Sequence, residues 1–558
     1  MAADVVVRGG TVLDGSSGPG VRADVAVTGD RITEIGEGVD ANGARELDAT
    51  GQVVTPGFVD IHTHYDAQVF WDPALTPSSW HGVTTVVAGN CGFSLAPCRP
   101  EHRELLVHTL EHVEDMSPAT LTAGVPWDFE TFPEYLDSVE RRGTVINFSA
   151  YIGHTALRLW VMGDAGYERE ATDEELARMA DVVREAMVAG AAGFASSSSP
   201  THSGDGGRPV PSRLADVREL EVIMAPLGEL GRGVIELLPG EKIKHADVYA
   251  LQRKIGRPIT WTALLTVKGY PWHLDMGRLN DRERADGVDV WPQISVRPLT
   301  FSMNMAEPFT FNMSPSFGAL MGKPIAEKMA TFRDASWRAN AQEELESGRF
   351  FRIRWDRLTV SESERFPDLV GRAVADIAQE RGLGPLDLVL ELSCDENLET
   401  RFRSVLANDD DEAIEWLLQQ EGMLIGLSDA GAHVSQLCDA CAPTDLLGNW
   451  VRDRGALPLE RAVRKLTGEP ADVYGLSRDG GRGYVREGMT ADLVVFDPDT
   501  VGPGPLRRIR DFPADGERLV ADAPSGVTHV LVNGTPIRAD GEPDADAVAA
   551  KPGRLVRS

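Results

Sequence analysis

The sequence predicts an α/β fold, a (β/α)8 TIM barrel with a small composite β-sandwich from both termini and a lid insertion. Three observations predict it. Eight strand-like runs alternate with helical segments through the middle of the chain, and both ends carry short strands broken by glycine turns. The stretch before the last strand-like run is too long for one strand–helix unit.

At the N-terminal end, Val5-Val6-Val7 and Val25-Ala26-Val27 are short strand-like runs, and Gly9-Gly10 and Gly29-Asp30 mark turns. The runs 491–496 and 527–534 follow the same grammar, so the two ends are expected to meet in one β-domain, residues 1–55 plus 480–558. The barrel domain then spans 56–479. Its predicted strands are 58–61, 83–88, 145–151, 192–196, 233–238, 259–264, 288–295 and 423–427. Between the third and fourth, Thr172 and Glu175 have capping-box spacing. Leu176, Met179, Val183 and Met187 follow at helical intervals, and Gly190 ends the helix. The insertion is expected at about 300–420. It opens on a stretch rich in Met and Phe, 301–313, which suits core packing and near a barrel mouth would line an apolar pocket.

A length of 558 residues permits a large core and more than one domain. The net charge of −31 argues against a nucleic-acid partner and against an anionic membrane surface, because phosphates would be repelled. No apolar run approaches a membrane span, and the first residues lack a basic segment followed by an apolar one. Five cysteines, odd in number and scattered, imply no disulfide framework. A reducing cytoplasm is the expected compartment. A small molecule is the expected partner, and a homo-oligomer is compatible with the sequence.

Barrel active sites lie at the C-terminal ends of the strands. At the first such end stand His62 and His64, one residue apart, so that on an extended chain both side chains point the same way. The second end carries Asn90-Cys91-Gly92, and the eighth Ser428-Asp429. Two imidazoles, a thiolate and a carboxylate thus converge, a donor set suited to one tetrahedral divalent ion, zinc above others. A P-loop or dinucleotide glycine fingerprint does not stand out. Residues 426–430 come close to a nucleophile elbow but end in Ala430.

In these residues the chain resembles the amidohydrolase superfamily, in its D-aminoacylase (N-acyl-D-amino-acid deacylase) branch. The matching segments are Pro56–Asp66, Gly82–Pro97, Gly153–Arg158, Leu466–Ala471 and Gly488–Val494. The pairing of His-x-His with Gly-Asn-Cys-Gly is specific to that branch. The resemblance implies that His62, His64 and Asp429 hold the more buried metal. It also implies that the Cys91 thiolate bridges toward a second site, where other superfamily members use a carboxylated lysine. The sequence departs from the pattern at three places. Leu238 stands at the fifth-strand histidine, Ala263-Leu264 at the sixth-strand His-His, and the segment after Asp429 lacks the arginine held to grip a substrate carboxylate. One zinc ion is therefore expected.

The expected activity is metal-dependent hydrolysis of a non-peptide C–N bond, of the N-acyl-amino-acid deacylase kind, with a metal-activated water. Asp429 is the expected base, with His154 stabilising the oxyanion. Trp261 and His433 are candidate substrate contacts. With Trp272 and Trp291, Trp261 suggests an apolar or aromatic substrate. His202 reads as a loop residue. Glu236, two residues before Leu238, reads as an inward carboxylate in need of a partner. The alternatives are hydrolysis of a cyclic amide or ester, or deamination, on the same metal, and a silent relative that binds a small molecule.

Overall fold

The computed structural model describes residues 3–204, 207–308, 310–312, 314–347 and 353–558. Phe309 and Met313, from the stretch rich in Met and Phe, lie outside these. The chain divides into two compact units: 1–297 with 410–434 and 438–558, and 298–409 with 435–437.

In the first unit, eight parallel strands form one sheet in sequence order. They are β1 (Phe58–Asp60), β2 (Val83–Ala88), β3 (Asn147–Gly153), β4 (Gly193–Ser197), β5 (Val234–Leu238), β6 (Ile259–Trp261), β7 (Val290–Ile294) and β8 (Leu424–Ile425). Just beyond the ends of β1 and β8, Thr63 and Ala430 form a parallel bridge, and the His64 N–H donates to the Ala430 carbonyl at 2.7 Å. The two edges of the sheet are therefore in contact, and the arrangement fits a TIM barrel. Val59, Ile61, Val87, Tyr151, Ala195, Val234 and Leu424 pack into one buried cluster. Residues drawn from that many strands meet on the concave side of the curled sheet. A larger cluster lies between the strands and the helices, including Leu176, Met179, Val183 and Met187 of the helix Asp173–Ala189. Its capping box from Thr172 and Glu175 and its end at Gly190 follow the sequence pattern.

Strand ends differ from the predicted ones for local reasons. β8 stops at Ile425 because Leu427 (φ 57°) and Asp429 (φ 45°) leave the extended region. The helix Asp411–Leu418, expected within the insertion, instead contributes Ile414, Leu417 and Leu418 to the core of the barrel unit.

Strands from both ends of the chain share a nine-stranded sheet. Leu493–Phe496 pairs antiparallel with Val53–Pro56, and Val53–Pro56 pairs parallel with Val5–Val12. The second unit has a three-stranded antiparallel sheet, Leu299–Asn304, Arg401–Ala407 and Leu358–Glu362, with helices around it. Met303, Met305 and Phe311 are buried in this unit's own core, so these residues of the stretch are packing. No helix among the described residues is long and apolar enough to cross a membrane.

Candidate metal centre

The chain after β1 stays extended through Thr63, whose N–H donates to Val87 O at 3.2 Å. His62 and His64 therefore emerge on one side, with ring centroids 5.4 Å apart. After β2 the segment Gly89-Asn90-Cys91-Gly92 turns sharply, with Cys91 itself in the left-handed region at φ 54°. Only glycine fits at its flanks. A Cβ on Gly89 (φ 82°) would sit 2.7 Å from Tyr151 O, and one on Gly92 (φ 78°) 3.0 Å from Ala195 O. Asn90 ties the turn down by donating to Val87 O at 2.9 Å, and Asp66 accepts the Gly89 N–H at 2.9 Å.

The donors converge. His62, His64 and Cys91 each offer one ligand atom, all within 4.8 Å of one another and all buried. Asp429 joins them: its Oδ1 lies 3.0 Å from His62 Nε2 and 3.6 Å from His64 Nε2. Cys91 Sγ is 3.7 Å from His62 Nε2. The other ring nitrogens are turned away onto oxygens. His62 Nδ1 meets Gln293 Oε1 at 2.7 Å, with Thr262 Oγ1 at 3.2 Å, and His64 Nδ1 lies 3.0 Å from Glu114 Oε1. Acceptors at Nδ1 favour the tautomer whose Nε2 lone pair faces the common point, the arrangement that metal-ligating histidines adopt. Burial pushes the Asp429 carboxyl up, but hydrogen bonds and charge from His62 and His64 outweigh it and hold Asp429 far below the usual carboxylate range. Three buried donors and a half-buried carboxylate, with the imidazoles pre-oriented, fit a divalent cation.

Two expected roles are corrected by the geometry. His154 opens the helix His154–Met162 fully buried, with Nδ1 2.8 Å from Ser196 Oγ and Nε2 2.9 Å from Glu219 Oε1. Both nitrogens are engaged, so oxyanion stabilisation gives way to a place in a buried ion network. In that network Arg158 Nη1 also donates to Glu219 Oε2 at 2.6 Å. Trp261 is fully buried on the outer side of β6, in the core and against His245, with ring centroids 4.7 Å apart. Its neighbour Thr262 is the residue that reaches His62. Trp272 caps Leu265 O, and Trp291 stacks under Arg284, 4.1 Å from its ring centroid. The tryptophans therefore give no support to an aromatic substrate.

His433 is half-buried, at φ 46°. His202 does more than a loop residue would: its Nδ1 meets Ser197 Oγ at 2.8 Å and its ring stands edge-on to Phe93. Burial pulls its pKa down to about 4, and Glu114, His433, His64 and Asp429 also act on it. Gln293, Thr262 and Glu114 were missed in the sequence. The first two sit at strand ends, a signal that was available; Glu114 ends a helix with no motif. A cavity lined by Arg333, Arg338, Gln342 and Asp387 belongs to the second unit and shares no residue with this site.

The Glu219 network makes a stability prediction. Burial raises the Glu219 pKa, but the hydrogen bonds and charges of His154 and Arg158 win and hold it at about 2, below an ordinary 4.5. A lowered folded-state pKa stabilises above the unfolded value and is lost as pH falls through the folded one. Glu219→Gln, which leaves Arg158 buried without its counter-charge, is expected to cost about 3–5 kcal/mol at pH 7. In urea unfolding, that gap should shrink from about pH 4.5 toward pH 2. A gap independent of pH would count against the assignment.

The amidohydrolase family model matches residues 45–340 and 369–538. The chain is 32% identical over 540 residues to a D-aminoacylase of Alcaligenes xylosoxydans xylosoxydans, covering 96% of this chain and 94% of that one. Its structure is similar to a solved D-aminoacylase studied for its binuclear metal centre, with one-metal activation and second-metal attenuation (TM-score 0.67, 26% identity, all of both chains covered). It is equally similar to the N-acyl-D-glutamate deacylase of Bordetella bronchiseptica complexed with zinc and a phosphonate mimic of the tetrahedral intermediate (TM-score 0.67, 26% identity, all of both chains).

Proposed function

Because the chain belongs to the amidohydrolase family, we propose that it is a metal-dependent hydrolase of non-peptide C–N bonds, an N-acyl-amino-acid deacylase. The observation that carries this reading is the convergence of His62, His64, Cys91 and Asp429 on one buried point. These four residues would hold the ion. A bound divalent cation supplies Lewis acidity, lowering the pKa of water and polarising the scissile carbonyl. Asp429, kept ionised beside the two histidines, takes the proton from the attacking water and returns it to the leaving nitrogen. Gln293 and Glu114 hold the imidazoles in register. His433, four residues beyond Asp429, is a substrate contact in this reading.

One ion suffices. Leu238 and Ala263 stand where a second site would need imidazoles, and one-metal activation is described for the D-aminoacylase relative. Zinc suits the nitrogen, sulfur and oxygen donors and is present in the deacylase relative. In the same reading, residues 1–55 with 480–558 are the composite β-sandwich, 56–479 the barrel domain, and the unit 298–409 its insertion. All five cysteines are free and buried, which fits a reducing compartment such as the cytoplasm.

The test is a screen of N-acyl-D- and N-acyl-L-amino acids with purified, zinc-loaded protein, following release of the free amine. Release from at least one D-series compound, abolished by chelation and restored by zinc, is the expected result. No release from any member by metal-loaded protein would overturn the assignment.

A further inference from the structure

Glu236 lies on β5 with no solvent exposure. Its Oε2 accepts the backbone N–H of Cys91 at 2.8 Å, while its Oε1 is buried without a hydrogen-bond partner. On the neighbouring strand end, Thr262 Oγ1 reaches His62 Nδ1 at 3.2 Å. An isolated buried carboxylate costs several kcal/mol unless a cation or hydrogen bonds compensate it. Burial raises the Glu236 pKa and the Cys91 N–H offsets only part of that, so a cation held by the neighbouring ligands would stabilise the carboxylate.

The Cys91 side of the contact matters equally. Cys91 is a non-glycine residue at φ 54°, a strained conformation that persists only where neighbours enforce it. Gly89 and Gly92 make the turn possible on either side, and Asn90 fastens it through its side chain. The Cys91 N–H is held from the opposite wall of the barrel, by Glu236. That single bond orients the residue whose Sγ stands 3.7 Å from His62 Nε2.

We propose that Glu236 is a positioning residue of the metal centre: through Oε2 it holds Cys91 in the turn that aims its thiolate at the ligand cluster, and through the charge on its unspent oxygen it strengthens the site's hold on a divalent cation. The inference rests on the metal reading above and extends it to a residue 145 positions from Cys91 in the chain. Glu236→Gln keeps an acceptor for the Cys91 N–H and removes the charge. Glu236→Ala removes both.

The experiment titrates metal-free full-length protein with Co2+, whose thiolate charge-transfer absorption reports on Cys91, and measures affinity by competition with a chromophoric chelator. The unaltered protein shows the band and Cys91→Ser lacks it. Glu236→Gln keeps the band and binds Co2+ about 10–100-fold more weakly, the usual loss when a group supporting a ligand is altered. Glu236→Ala weakens further and loses most of the band. Affinity of Glu236→Gln within about twofold of the unaltered protein, or an undiminished band in a folded Glu236→Ala, overturns the proposal. Should Glu236→Ala fail to fold, the isosteric Glu236→Gln decides. A missing band in the unaltered protein overturns the metal reading itself, so the two failures are told apart.

Discussion

Asp429→Asn is expected to lower kcat/KM on a hydrolysed N-acyl amino acid by about 10³-fold while the chain stays folded. The substitution keeps the size of the side chain and an oxygen facing His62 and His64, but it removes the negative charge that sits 3.0 Å from His62 Nε2. Two contributions vanish together: an anionic ligand for the cation, and the base that carries a proton from water to the leaving nitrogen. The loss should fall mainly on kcat, since a proton carrier acts in the transition state rather than in binding. Steady-state kinetics of both proteins after zinc loading, with bound metal measured in the same samples, separates the two contributions. A loss below about tenfold with full metal occupancy would show that Asp429 is not the base.

The parts of this site that were legible in the sequence are those whose geometry is local. His62 and His64 lie on one extended stretch, so their shared direction follows from the backbone alone, and the rings do stand side by side. The Gly-Asn-Cys-Gly turn announces itself through glycines that no other residue can replace. Asp429 was found by its position past the eighth strand. What failed was phase and long-range partnership. Trp261 and Thr262 are adjacent, and a shift of one residue decides which faces the barrel axis; the run 259–264 offers no alternation strong enough to fix it. His154 reads as an oxyanion stabiliser in the sequence, but its place depends on Glu219, 65 residues later on a helix, and a sequence gives no sign of that pairing. Glu114 is a similar case, a buried carboxylate at a helix end whose purpose appears only when His64 is brought to it. The eight parallel strands were legible because hydrophobic runs repeat. The short β8 was not, since left-handed backbone at Leu427 and Asp429 is set by the site they build.

Replacing His62 and His64 together by alanine is expected to take bound zinc from about one ion per chain to none after dialysis. His62 Nδ1 meets Gln293 and His64 Nδ1 lies beside Glu114, which leaves each imidazole its Nε2 to give. With both gone, Cys91 and Asp429 leave only two donors, short of the three that an open catalytic site requires. The loss also has a thermodynamic signature. A ligand that binds only the folded chain stabilises it by about 4 kcal/mol at a free concentration near 1,000 times its Kd, so added zinc should raise the Tm of the unaltered protein and not that of the variant. Elemental analysis and thermal melts on the same preparations check both, with circular dichroism establishing that the variant is folded. Two ions per chain would mean that donors other than these complete a second site despite Leu238 and Ala263. No zinc in the unaltered protein, even after loading, would leave four converging ligand groups without a cation and remove the basis for hydrolysis at this centre.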